Sequence, residues 1–142
     1  GGLPFGGVMA NEKCCNVFTP GTHATTFGGN PVSAAAACYV LDRIDDGLLE
    51  QVKEKGAYIR QAVEAMNLPC LGKTLGLGLM IGVEVKGEKT NRELAAALID
   101  NGLLCLTAGA GLRFLPPLVI TKEEMDEALA IIQRTLSPFK GE

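Results

Sequence analysis

The sequence predicts an α/β chain whose later part, from Leu75 onward, is an α+β unit: a short antiparallel sheet backed by helices. Three observations carry that expectation. Two capping boxes, Thr90 with Glu93 and Thr121 with Glu124, each open an amphipathic run. In such a box the Thr hydroxyl and the Glu carboxylate each take a backbone N–H that the first helical turn leaves without a partner. Short apolar runs around Leu79–Val85, Leu103–Leu106 and Leu112–Leu115 are bounded by glycine, proline or polar residues, as strands are. Finally, Leu49, Val52, Gly56, Ile59, Val63 and Met66 recur at alternating spacings of 3 and 4, which is one apolar stripe on a helix.

The 142 residues fit one domain or parts of two. A net charge of −3 leaves no basic face for nucleic acid. Five cysteines, Cys14, Cys15, Cys38, Cys70 and Cys105, are odd in number, scattered and without metal-ligand spacing. They read as free thiols in a reducing compartment. There is no signal peptide and no apolar run long enough for a bilayer, so a cytoplasmic location is expected and no membrane partner.

In chain order, a glycine turn at Gly1–Gly7 feeds an expected strand from Phe5 to Ala10. A lone terminal strand cannot bury both faces, so the chain is expected to begin inside a larger protein's sheet. Asn11–Asn16 reads as a polar connector. The loop Gly21-Thr22-His23-Ala24-Thr25-Thr26-Phe27-Gly28-Gly29-Asn30-Pro31 then runs into an Ala-rich helix. Asn30 suits the N-cap and Pro31 the first helical position. Two readings stand on spacing alone. One is a capped glycine turn. The other is an anion cradle, in which small hydroxyls and a helix N-terminus meet a phosphate. The spacing matches neither a Walker A loop nor G-x-G-x-x-G.

Helices are expected from Pro31 to about Asp45 and from about Gly47 to Met66. Gly56, on the apolar stripe, offers a place for close backbone approach. Asn67–Lys73 reads as a loop, and the glycine-rich run from Leu75 as one strand, best from Leu79 to Val85. A nucleotide site at Gly76–Gly78 is rejected because no helix follows it. The helix capped by Thr90 should stop at Gly102. A strand at Leu103–Leu106, a turn at Ala108–Gly111 and a strand at Leu112–Leu115 follow, making three strands in all. The last helix carries Met125, Leu129, Ile132 and Leu136 on one face.

Four strings, in order, resemble class III pyridoxal-phosphate aminotransferases, most of all the acetylornithine and ornithine group. Gly1–Gly7 resembles the segment after the cofactor lysine, and Gly21–Pro31 the cofactor-phosphate loop. Leu75–Glu84 resembles the first strand of the C-terminal domain, and Leu112–Thr121 the substrate-carboxylate strand. The resemblance implies the C-terminal part of a fold type I enzyme. Residues 1–45 would be the tail of its large, cofactor-binding domain, and residues 46–142 its small α+β domain.

The implied cofactor is pyridoxal 5′-phosphate. The implied reaction passes an ω-amino group from N-acetylornithine, or an ornithine-like amine, to 2-oxoglutarate in arginine biosynthesis. The implied assembly is a homodimer with a site shared across its interface. Thr26 would bind the cofactor phosphate of the partner subunit, with Thr25 a weaker candidate beside it. Arg113 would hold the substrate α-carboxylate in a two-bond fork, a task suited to guanidinium geometry. Without the resemblance, Arg113 reads equally well as an edge-strand residue facing solvent. His23 reads as structural, since no partner for a base is in sight.

The chain departs from the family pattern in one respect. The Schiff-base lysine would precede Gly1, and none of the chain's lysines occupies that position. No catalytic residue is therefore assigned, and this segment alone is expected to be inactive. A non-catalytic α+β module that binds a small ligand or a partner is the alternative from a different class.

Overall fold

The structure, a computed structural model, describes residues 2–140. Gly1 of the opening turn and the last two residues of the 46–142 segment lie outside the described residues. The chain divides into two compact units between Asp46 and Gly47.

The first unit holds a 3-10 turn at Glu12–Cys14 and helix α1, Pro31–Arg43. Asn30 caps α1 with its side chain, and Pro31 takes the first helical position, as the sequence implies. The expected strand at Phe5–Ala10 is absent: that segment is exposed, irregular chain. A strand exists by hydrogen bonding to a neighbour, and the unit provides none. Phe5, Val8, Met9, Val17, Phe18 and Phe27 are exposed. One turn beyond Tyr39, Arg43 donates to its hydroxyl at 2.7 Å.

The second unit runs α2 (Asp46–Ala65), β1 (Leu71–Leu77), β2 (Met80–Val85), α3 (Asn91–Asp100), β3 (Leu106–Ala108), β4 (Gly111–Phe114) and α4 (Lys122–Leu136). The sheet has four strands in the order β1-β2-β4-β3, every pair antiparallel. Three expectations need correction. The loop expected at Asn67–Lys73 ends early, because Leu71 already pairs with Val85 and opens β1. The glycine-rich run is a hairpin and not a single strand. Gly78, at φ +53°, takes the first place of a two-residue turn and folds Leu77 back onto Met80. A glycine there is what a tight hairpin of this hand requires. The strand expected at Leu103–Leu106 begins only at Leu106, because Leu103 completes the end of α3. Leu103 N–H bonds Leu98 C=O and Gly102 N–H bonds Ile99 C=O, with Gly102 at φ +93°. That is a Schellman cap.

Alternation decides the two faces of the sheet. Ile81, Val83, Leu112 and Phe114 are buried on one face, against Ile59 and Val63 of α2, Leu94 and Leu98 of α3, and Met125, Leu129, Ile132 and Leu136 of α4. Both capping boxes form, with Thr90 and Glu93, and Thr121 and Glu124, bonding reciprocally. Helix α2 meets the hairpin turn backbone to backbone. A Cβ on Gly56 would fall 2.0 Å from the Gly78 carbonyl oxygen. One turn along, Arg60 donates to that same oxygen at 3.1 Å. Tyr58 donates to Asp126 of α4, and Lys122 reaches Asp126 at 2.6 Å. All five cysteines are free, with Cys70 and Cys105 buried and their thiols pushed up by burial, which leaves them protonated and inert.

Two outcomes follow. Gly56→Ala should destabilise the protein by about 1–3 kcal/mol, as overpacking does, although alanine is the better helix former. A urea unfolding midpoint that stays put would show that the turn can retreat from the helix. Glu93 accepts from Lys89 and from the Thr90 backbone and hydroxyl, which lowers its pKa from 4.5 to about 2. A depressed folded-state pKa contributes stability that is complete above the unfolded value and lost as pH falls through the folded one. Glu93→Gln should therefore flatten the acid-unfolding curve between about pH 4.5 and 2, read by circular dichroism against pH.

Candidate functional site

The polar loop of the first unit consists of two tight turns. In the first, Thr22 N–H bonds Thr19 C=O at 3.1 Å across Pro20-Gly21, with Gly21 at φ +87°. Proline then glycine at positive φ is the signature of a type II turn. The Thr22 hydroxyl donates back to Thr19 C=O at 2.7 Å. In the second turn, Asn30 N–H bonds Phe27 C=O at 3.2 Å, and Gly29 sits at φ +69°. Between them His23 packs its ring against Phe18, with centroids 5.9 Å apart. Thr25 is exposed and turns its hydroxyl toward Gly28, where an added Cβ would fall 2.5 Å from it. Thr26 is exposed, and no hydrogen bond holds it among the described residues.

The helix terminus behind the loop is partly occupied. The Asn30 side-chain oxygen already accepts from Val32 N–H at 2.9 Å and Ser33 N–H at 3.2 Å. The N–H groups of the second and third helical residues are thus engaged by the helix's own cap.

Arg113 belongs to the second unit. Strand β4 lies between β2 and β3, so the edge-strand reading of Arg113 fails. The flanking Leu112 and Phe114 are buried, which turns Arg113 to the opposite face of the sheet. Its register partners are Gly82 on β2 and Leu106 on β3, and Leu75 lies beyond Gly82 on β1. Leu75 and Leu106 are 67% and 53% exposed, so no helix of this unit covers that face. The Arg113 Nε is nevertheless buried and has no hydrogen-bond partner. A guanidinium donor withdrawn from water without a partner is costly, and such groups in folded proteins call for an explanation.

Thr25 and Thr26 thus sit in one unit and Arg113 in the other. Sequence reasoning did not single out Gly82, because its importance comes only from the register that sets it opposite Arg113. A cavity of about 590 Å³ lies elsewhere in the second unit, lined by Ile59, Leu103, Phe114, Ile120, Met125 and Leu129 among others. Its one carboxylate, Glu124, is engaged in capping α4, so the cavity holds no free chemistry. Among the described residues no group of His, Cys, Asp or Glu could hold a metal ion, and no helix is long and apolar enough to cross a membrane.

The profile of the family described as Aminotransferase class-III matches residues 1–136. The chain is 42% identical over 139 residues to an ornithine aminotransferase of Staphylococcus carnosus, covering 96% of this chain and 35% of that protein. It is 41% identical over 137 residues to an acetylornithine aminotransferase of Aquifex aeolicus, with the same two coverages. The crystal structure of the acetylornithine aminotransferase from Elizabethkingia anophelis superposes with a TM-score of 0.76 at 34% identity, covering 92% of this chain and 36% of that one. The chain spans about a third of the length of the relatives it matches. A match over nearly every residue, in sequence and in fold, leaves one assignment: the chain belongs to the class III aminotransferases, a family of pyridoxal-phosphate-dependent transferases.

Proposed function

We propose that these residues are the C-terminal portion of an aminotransferase that moves an ω-amino group from N-acetylornithine, or an ornithine-like amine, to 2-oxoglutarate. The observation that carries the reading is the buried, unpartnered Nε of Arg113 on the uncovered face of the sheet. A carboxylate is the group that would satisfy it. Arginine presents parallel N–H donors that match two carboxylate oxygens, and both the amino donor and the oxo-acid acceptor carry an α-carboxylate.

The residues of the first unit fit the phosphate end of the cofactor. Thr26 offers an unengaged hydroxyl on a loop bent by glycines, beside the Thr25 hydroxyl. Pyridoxal phosphate, when bound, supplies the carbonyl group and electron-withdrawing ring that amino transfer requires. Thr26 and Thr25 would anchor its phosphate, and Arg113 would orient the substrate. The division at Asp46 supports residues 1–45 as the tail of a large cofactor-binding domain and 46–142 as a small substrate-side domain. In this reading the site is shared across a homodimer, Thr26 serves the partner's cofactor, and the cofactor-bearing lysine lies outside these residues. The enzyme would be cytoplasmic.

Two variants of the full-length enzyme separate the roles. Thr26→Ala removes a charge-assisted hydrogen bond of about 1.5–3 kcal/mol. Cofactor retention should weaken by roughly ten- to a hundredfold, measured by dialysis and absorbance. Arg113→Lys keeps the charge and loses the fork. Cofactor retention should stay near normal, while catalytic efficiency falls with both α-carboxylate substrates in separate half-reactions. Release of cofactor by Arg113→Lys, with both half-reactions intact, would overturn the assignment.

A further inference from the structure

The sheet contains four glycines, and two have a backbone reason to be glycine. A Cβ on Gly76 would fall 1.9 Å from the Met80 carbonyl oxygen, and its φ is +122°. A Cβ on Gly111 would fall 2.5 Å from the Val83 carbonyl oxygen. A Cβ on Gly72 would meet only the ends of the flexible Glu84 and Lys86 side chains, which can turn aside, and Gly72 lies at the irregular register between Leu71 and Thr74. Gly82 differs. Its φ is not in the left-handed region, and an added Cβ would meet nothing closer than Leu75, at 3.8 Å. Nothing in the packing requires a glycine there, and glycine inside a strand weakens it.

Gly82 stands directly opposite Arg113, on the uncovered face of the sheet. Opposed residues in an antiparallel pair place their Cβ atoms about 4.5–5.5 Å apart, so a side chain at position 82 would rise beside the Arg113 stem. Leu106 already rises on the other side, and Leu75 bounds the row one strand further. The row therefore reads leucine, gap, arginine, leucine. The gap lies next to the Arg113 Nε, the one guanidinium donor that is buried and unpaired among the described residues.

We propose that Gly82 is a positioning residue for the substrate. Its missing side chain leaves the slot in which a carboxylate-bearing carbon chain lies against β2 while Arg113 grips the carboxylate. This rests on the reading of Arg113 given above. Leu75 and Leu106 then form apolar walls that admit the carbon chain and keep water from the fork, and Gly82 sets the width between Arg113 and Leu75. Bulk at position 82 competes with substrate and with nothing in the fold.

The test compares Gly82→Ala and Gly82→Val with Arg113→Lys in the full-length holoenzyme. The Michaelis constant for 2-oxoglutarate should rise roughly tenfold or more in Gly82→Val and less in Gly82→Ala, the scale of a methyl or two placed in a fitted pocket. The kcat, the cofactor dissociation rate and the melting temperature should stay near those of the parent in Gly82→Ala. A structural role would move kcat, cofactor retention and melting together, and that pattern overturns the proposal. So does an unchanged Michaelis constant in both Gly82 variants while Arg113→Lys raises it; Arg113 then keeps its role and Gly82 has none. If Arg113→Lys leaves the Michaelis constant unmoved, the carboxylate reading itself fails and the slot falls with it. Should Gly82→Val not fold, Gly82→Ala decides alone.

Discussion

Most of the second unit depends on one contact, the approach of the hairpin turn to α2 at Gly56 and Gly78. A glycine on the buried stripe of α2 lets the turn's carbonyl come within reach of the helix backbone, and Arg60 completes that carbonyl's hydrogen bonding. The contact pins the turn, and the turn pins the register of β1 on β2. Because side chains alternate along a strand, a slip of one residue would send Ile81 and Val83 outward and Gly82 inward. The placement of Arg113 depends on the same register, since β4 reads its position from β2. A helix–turn contact with no chemistry of its own thus determines which residues face the open side of the sheet.

The helices of the second unit were legible because their signals are local. Both capping boxes and the Gly102 stop need only neighbours within a turn or two and appear where expected; the stripe read from Leu49 to Met66 meets the core from Val52 on, while Leu49 is exposed. The strands were less legible, because a strand is defined by a partner that is distant in sequence. Leu75–Leu77 looked like the lead-in to one strand, and only the positive φ of Gly78 shows that the chain doubles back. Leu103 looked like the start of a strand, and its N–H had already been taken by α3. The error at Phe5–Ala10 is of another kind. Its composition suits a strand, and its unit offers no partner.

The site was legible as residue types and not as geometry. Thr25, Thr26 and Arg113 stand out through family likeness, yet only the sheet order shows that Arg113 lies on an interior strand. Only its surroundings show that one of its nitrogens is withdrawn from water and unpaired. Asn30 teaches the converse. The same side chain that makes the helix start readable also occupies the N–H groups that a bound anion would use. A good cap and an open anion site are partly exclusive, which shifts the burden of any phosphate contact onto the threonine hydroxyls.

The chain has no tryptophan and two tyrosines, and the division at Asp46 leaves one tyrosine in each unit. Tyr39 sits against Arg43 within α1, while Tyr58 joins α2 to α4 through Asp126 and Lys122. Within this chain each unit therefore carries its own chromophore. Tyr58 is tied to a clasp between two helices and Tyr39 to a bond inside one, so their near-ultraviolet signals record different events: the parting of α2 from α4 in one case, and the fraying of a single helix in the other.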